Sequence, residues 1–153
     1  MINKKIIAFV LLILFPICTF SENLIDKAAK NLKDSIAKND VEKTKSAVQI
    51  LSDANNEQAF KFLVAPLKQL PKNSSDELYW IILNGISKMD NSKVIKELTN
   101  FINENKKNNL SIDLLFILQS NITDRMMPLI EKILKEDTQN LKELAIDYLE
   151  KLR

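Results

Sequence analysis

The chain has 153 residues, 46% apolar and 27% charged, with one cysteine, one glycine and no histidine. Without an imidazole, Ser/His/Asp and Cys/His nucleophilic sites are excluded, and zinc centres built from histidine and cysteine go with them. The 22 basic residues nearly balance the 20 acidic ones. That denies the chain the basic footprint from which counterion release drives nucleic-acid binding, so neither DNA nor RNA is an expected partner.

The first segment is Met1-Ile2-Asn3-Lys4-Lys5, followed by an apolar run from Ile6 to Cys18 and then Thr19-Phe20-Ser21. Two lysines, a short apolar stretch and small or hydroxyl residues have the layout of a secretory signal cleaved before Glu22. The apolar run falls short of the roughly 18–20 residues a spanning helix needs. The expected organisation is a signal peptide over 1–21 and a helical-repeat domain over 22–153, in an exported, periplasmic or extracellular protein. Removing Lys4 and Lys5 leaves 20 basic against 20 acidic residues. Lipidation at Cys18 is the alternative, and the one route by which a membrane becomes a partner, although Ile17 is large for the residue before a lipidated cysteine.

Beyond Glu22, apolar residues recur at helical spacing and no Asn-Gly or Asp-Gly hairpin signal appears, so the domain is expected to be all-α. The first helix is predicted over about Asn23–Lys38, with Leu24, Ile25, Ala28, Ala29, Leu32 and Ile36 on one stripe. Asn39-Asp40 closes it and caps a second helix, about Val41–Asp53. Asn55-Asn56 turns into a third, about Glu57–Leu70. Ser74 or Ser75 is expected to cap a fourth helix running to about Met89. Asp90-Asn91-Ser92 breaks the chain before a fifth, about Lys93–Asn105. A sixth spans about Leu110–Ser120, Thr123-Asp124 caps a seventh ending near Lys135, and the last covers about Asn140–Leu152. Such short connections force antiparallel neighbours, giving four αα-hairpins.

The hairpins repeat. One apolar column runs Leu51, Ile86, Leu118, Leu149, at spacings of 35, 32 and 31 residues. Beside it run Val48, Leu83, Leu115, Ile146 and Ala47, Ile82, Leu114, Ala145. The other helix of each unit has columns Phe60, Ile95, Met127, then Leu63, Leu98, Ile130, then Leu67, Ile102, Leu134. Self-similarity at this period marks stacked helical hairpins, each burying its apolar face on its neighbours. The stretch Met127–Asp137, continuing through Leu141–Leu149, resembles a HEAT repeat: Pro128 in the first helix, Asp137 at the turn, Leu141-Lys142 opening the second helix, then Ala145 and Leu149. The segment Phe62–Met89 resembles it less closely, with Pro66 and Leu67 in place. The resemblance implies a short curved α-solenoid that binds protein partners along its concave face, with no catalytic residue to carry over.

Within that frame the second helix of each hairpin forms the inner layer. Its side opposite the buried columns projects a ladder: Lys45, Gln49, Ser52; Trp80, Asn84, Ser87; Ile112, Phe116, Gln119; Glu143, Asp147, Glu150. The middle rungs are apolar where a solvated face should be polar. Trp80, Asn84, Ile112 and Phe116 are therefore the expected partner-binding residues. Gly85, in the column of Ile50, Ile117 and Tyr148, leaves room for a neighbouring helix or an aromatic ring. The acids alternate with lysines as on a solvated helix face, so no catalytic residue, metal or cofactor is expected. The leading expectation is a non-enzymatic protein–protein interaction module. The alternative is a carrier or chaperone-like protein holding an apolar ligand between hairpins, and a carboxylate hydrolase ranks last.

Overall fold

The structure is a computed structural model that describes residues 23–70, 76–105, 109–118, 127–136 and 139–151. The expected signal peptide over 1–21, with Cys18, lies outside the described residues. So do the expected caps at Ser74, Ser75 and Thr123-Asp124. The described residues are helical, without a strand. Helix α1 covers residues 23–37. It is followed by α2 (Val41–Ala54), α3 (Glu57–Leu67), α4 (Glu77–Ser87), α5 (Ser92–Glu104), α6 (Asn109–Leu118), α7 (Met127–Glu136) and α8 (Gln139–Lys151). None of them is long and apolar enough to cross a membrane.

Short polar side chains start these helices by accepting from amides that have no intrahelical partner. Asp40 accepts from the Lys43 amide at 3.1 Å, Asn56 from Ala59 at 2.9 Å and Asn91 from Lys93 at 3.0 Å. For α4 the cap is Asp76, accepting from the Leu78 amide at 3.0 Å, in place of the serines expected. Its carboxylate stands immediately before the first helical residue, so the start moves downstream. Helix α3 ends earlier than expected, where the Gln69 amide bonds the Pro66 carbonyl three residues back, tightening the last turn. Asn39 and Asn55 turn the chain with φ of 52° and 44°. Asparagine tolerates this left-handed conformation better than other side chains do.

The helices sort into two layers. Helix α2 packs on α4, α4 on α6 and α6 on α8, while α3 packs on α5 and α5 on α7. The layers meet where α2 contacts α3, α3 contacts α4, α5 contacts α6 and α7 contacts α8. Burial follows the repeating columns: Ala47, Val48, Leu51, Ile82, Leu83, Ile86, Leu114, Leu115, Leu118 and Ala145 are all buried, as are Leu63, Leu98 and Ile130 of the other layer. Met127, Leu134 and Leu149 of the named columns are only half-buried, and Ile146 is 46% exposed although it shares the column of Val48, Leu83 and Leu115. Val48 of that column packs on α4, the next even-numbered helix, whereas among the described residues nothing follows α8.

Polar contacts repeat at the same period. The Asn55 side-chain amide donates to Asp90 at 2.7 Å, and its oxygen accepts from the Asn91 amide at 3.1 Å. The turn after α2 is thereby clasped to the turn after α4. Thr44 Oγ1 donates to the Asp40 carbonyl at 2.8 Å and lies 2.9 Å from Ser35 Oγ, joining α2 to α1. Two units later Ser111 Oγ donates to the Ile102 carbonyl at 3.2 Å, joining α6 to α5. Both hydroxyls are fully buried and satisfied, as buried polar groups must be.

Leu83→Ala and Leu118→Ala should each lower stability by roughly 2–5 kcal/mol, the range for deleting a fully buried leucine. Urea unfolding measures this, and losses below about 1 kcal/mol at both sites would contradict the packing. At Asn55, glycine should cost about 1–2 kcal/mol by removing the clasp, and alanine about 1 kcal/mol more because it also strains the left-handed turn. Equal losses for the two variants would mean that the turn conformation contributes nothing.

Candidate functional site

The solvent stripes of the even-numbered helices run through most of the expected ladder. Lys45 and Gln49 on α2, Asn84 on α4, and Glu143, Asp147 and Glu150 on α8 are exposed. Phe116 on α6 is the most exposed large apolar side chain described, at 60%. Trp80 and Ile112 are half-buried and lean on the core. Since α4 packs on α6, the four expected binding residues lie on neighbouring helices, two on each. The third column of the ladder is a correction. Ser52 and Ser87 are buried, the first donating to the Gly85 carbonyl at 2.7 Å and the second to the Asn84 carbonyl at 2.9 Å. A small hydroxyl side chain at helix–helix contact distance bonds to backbone instead of facing water. Gln119, at the same position of α6, lies outside the described residues.

Two polar contacts hold this face together. Tyr79 sets its ring edge-on to Trp80, with centroids 5.7 Å apart and planes at 85°. Its hydroxyl donates to Asp113 Oδ2 at 2.7 Å, tying α4 to α6 beside Trp80 and Ile112. Burial, and then the hydrogen bond to Asp113, push the Tyr79 phenol well above its ordinary pKa, so it stays a neutral donor. On the other side of α4, Lys45 lies 3.1 Å from Glu42 and 3.5 Å from Glu77, linking α2 to α4. The Glu42 hydrogen bond raises the Lys45 pKa, with the charges of both acids in support. The cation at this end is thus already countered, whereas the α8 end carries acids. Sequence reading missed the Tyr79–Asp113 pair, although its separation of 34 residues is one repeat period.

Gly85 is where a neighbouring helix comes in. A Cβ placed on it would collide with Val48 Cγ1 of α2. The neighbour it accommodates is therefore α2, not an aromatic ring.

The other layer is more open. A groove of about 780 Å³ lies between α1 and α3, one of about 420 Å³ between α3 and α5, and one of about 530 Å³ between α5 and α7. All three open at the surface between consecutive odd-numbered helices, whereas a ligand held between the layers would need a closed cavity. Among the described residues no cluster of acids or cysteine could hold a metal ion. No protein-family model matches the chain, and no curated protein matches it either.

Tyr79→Phe should cost about 1–2 kcal/mol, since it leaves a carboxylate without its donor at a tight helix contact. Asp113→Asn, which keeps an acceptor, should cost less. Thermal melts of the two variants check this; an unchanged Tyr79→Phe would show that the bond does not hold α4 to α6.

Proposed function

We propose that this chain is a short HEAT-like α-solenoid of four antiparallel αα-hairpins that is exported and works as a non-enzymatic protein–protein interaction module. Its binding face is the outward side of α2, α4, α6 and α8, centred on Trp80, Asn84, Ile112 and Phe116. The observation that carries this reading is Phe116, an aromatic ring left 60% exposed on the helix that packs against the one holding Trp80. A solvated helix face has no use for such a ring, and aromatic anchors dominate binding energy at interfaces.

Two further features support it. Stacked hairpins curve toward the layer whose helices approach more closely. Here the grooves open between odd-numbered helices, while α2 and α4 touch backbone to side chain at Gly85, which favours a concave even-numbered layer. Charge along that layer is graded. Lys45 is countered by Glu42 and Glu77, and Glu143, Asp147 and Glu150 stand exposed at the far end. A protein segment bearing an apolar side chain for Phe116 and basic residues for Asp147 and Glu150 matches that gradient. Export rests on the layout of residues 1–21, and the absence of cofactor and catalytic chemistry on a composition without histidine.

Phe116→Ala should leave stability within about 0.5 kcal/mol, because the ring is largely in water. Trp80→Ala should cost more, because its ring rests on Tyr79. Partner capture from an envelope fraction should fall by about thirtyfold or more for Phe116→Ala, the effect of losing a hot spot of about 2 kcal/mol. Melting curves and capture measured together decide the matter. Unchanged capture by a folded Phe116→Ala protein contradicts the proposed face.

A further inference from the structure

The α1–α3 groove differs from the other two in chemistry as well as size. Its walls are apolar along their length: Leu32 and Ile36 from α1, Phe62 and Pro66 from α3, with Leu70 just beyond. At about 780 Å³ it falls within the roughly 300–1,000 Å³ typical of small-molecule sites. Two lysines, Lys30 and Lys33, also line it, one turn apart on the same side of α1, and among the described residues neither is in an ion pair. The acid in the groove, Asp26, accepts from Gln58 Nε2 at 3.0 Å.

The neighbouring grooves are smaller, and neither has apolar walls of this length. Between α3 and α5, Lys61 is paired with Glu57 and Lys68 sits 5.9 Å over the Phe101 ring, with Glu97 and Glu104 adding negative charge. Between α5 and α7 the groove is also bordered by two lysines, Lys96 and Lys132, but it is smaller and its apolar side chains are limited to Ile95 and Pro128. An apolar trough edged by two unpaired cations is complementary to one kind of molecule: a long alkyl chain ending in an anion.

We propose that the α1–α3 groove binds a long-chain fatty acid, its alkyl chain on Leu32, Ile36, Phe62 and Leu70 and its carboxylate between Lys30 and Lys33. The ligand lies in an open groove on the outer surface of the odd-numbered layer, and not in a closed cavity between the layers. It is independent of the protein-binding reading, since no residue of the groove belongs to the face around Phe116. Lysine stems lie along apolar surface while their ammonium groups stay in water, which suits a ligand whose head remains at the rim.

Isothermal titration of the purified, detergent-free protein with palmitate, below the concentration at which palmitate forms micelles, tests the proposal. One equivalent should bind with a micromolar Kd, and myristate, two methylenes shorter, about tenfold more weakly. Palmitic acid methyl ester, which carries no charge, should also bind at least tenfold more weakly. Lys30→Glu with Lys33→Glu should weaken palmitate at least tenfold, while Lys30→Arg with Lys33→Arg should retain it. Ala65→Trp, on the exposed side of the groove, should block it. All these positions are exposed, and melting curves confirm folding. No palmitate binding, equal binding of the ester, or wild-type affinity in folded charge-reversed and Ala65→Trp proteins each overturns the proposal. Loss of palmitate binding in Phe116→Ala with retention in Ala65→Trp would place the ligand on the opposite face, and overturns it too.

Discussion

The close approach of α2 to α4 at Gly85 is the constraint from which the described architecture follows. With no side chain on Gly85, Val48 packs directly against its backbone, and Ser52 Oγ reaches its carbonyl at 2.7 Å. Val48 and Ser52 lie one turn apart on α2 and straddle the glycine, so α4 cannot slide along α2 without breaking one contact or the other. That register places Lys45 beside Glu77 and brings Asn55 to the turn at Asp90 and Asn91. Dispersion and burial supply most of the stabilisation at such a contact, and the hydroxyl-to-carbonyl bond supplies direction.

Much of the fold was legible because burial in stacked hairpins is periodic. A column must be apolar where every unit covers it, and Leu51, Ile86 and Leu118 are fully buried as their shared column requires. Ile146 shows the limit of that reasoning, since a shared column does not by itself bury a side chain: it is 46% exposed where Leu83 and Leu115 are covered. The serines of the ladder show another limit. A helical projection separates apolar from polar residues, whereas Ser52 and Ser87 are polar residues that a backbone carbonyl makes comfortable in the interior. Tyr79 and Asp113 lay a repeat apart in plain view, but a hydrogen bond between neighbouring helices leaves no trace in hydropathy. Among the candidate binding residues, the exposure of Phe116 and Asn84 followed from their phase on the helix. The partial burial of Trp80 reflects the edge-on Tyr79 ring.

The two layers give this small domain two chemically distinct surfaces. Where the helices are close, the outward side is a nearly continuous stripe carrying an exposed aromatic ring and a gradient toward acids. Where they are splayed, the spaces between them become grooves, and their character depends on whether the bordering lysines are already engaged. Among the described residues neither surface brings together a cluster of acids or cysteine that could hold a metal ion.

The register of α2 against α4 is tested most directly by a double-mutant cycle on Val48 and Gly85. Alanine in place of a helical glycine gains about 1 kcal/mol from backbone preference alone. At a contact this close the added methyl instead overpacks the interface, typically at a cost of about 1–3 kcal/mol. Gly85→Ala should therefore destabilise the wild-type protein in urea unfolding, and should be neutral or stabilising when Val48 is already alanine, a coupling of at least about 1 kcal/mol. Additive effects, or a Gly85→Ala protein more stable than wild type, would show that α2 and α4 do not meet at this glycine.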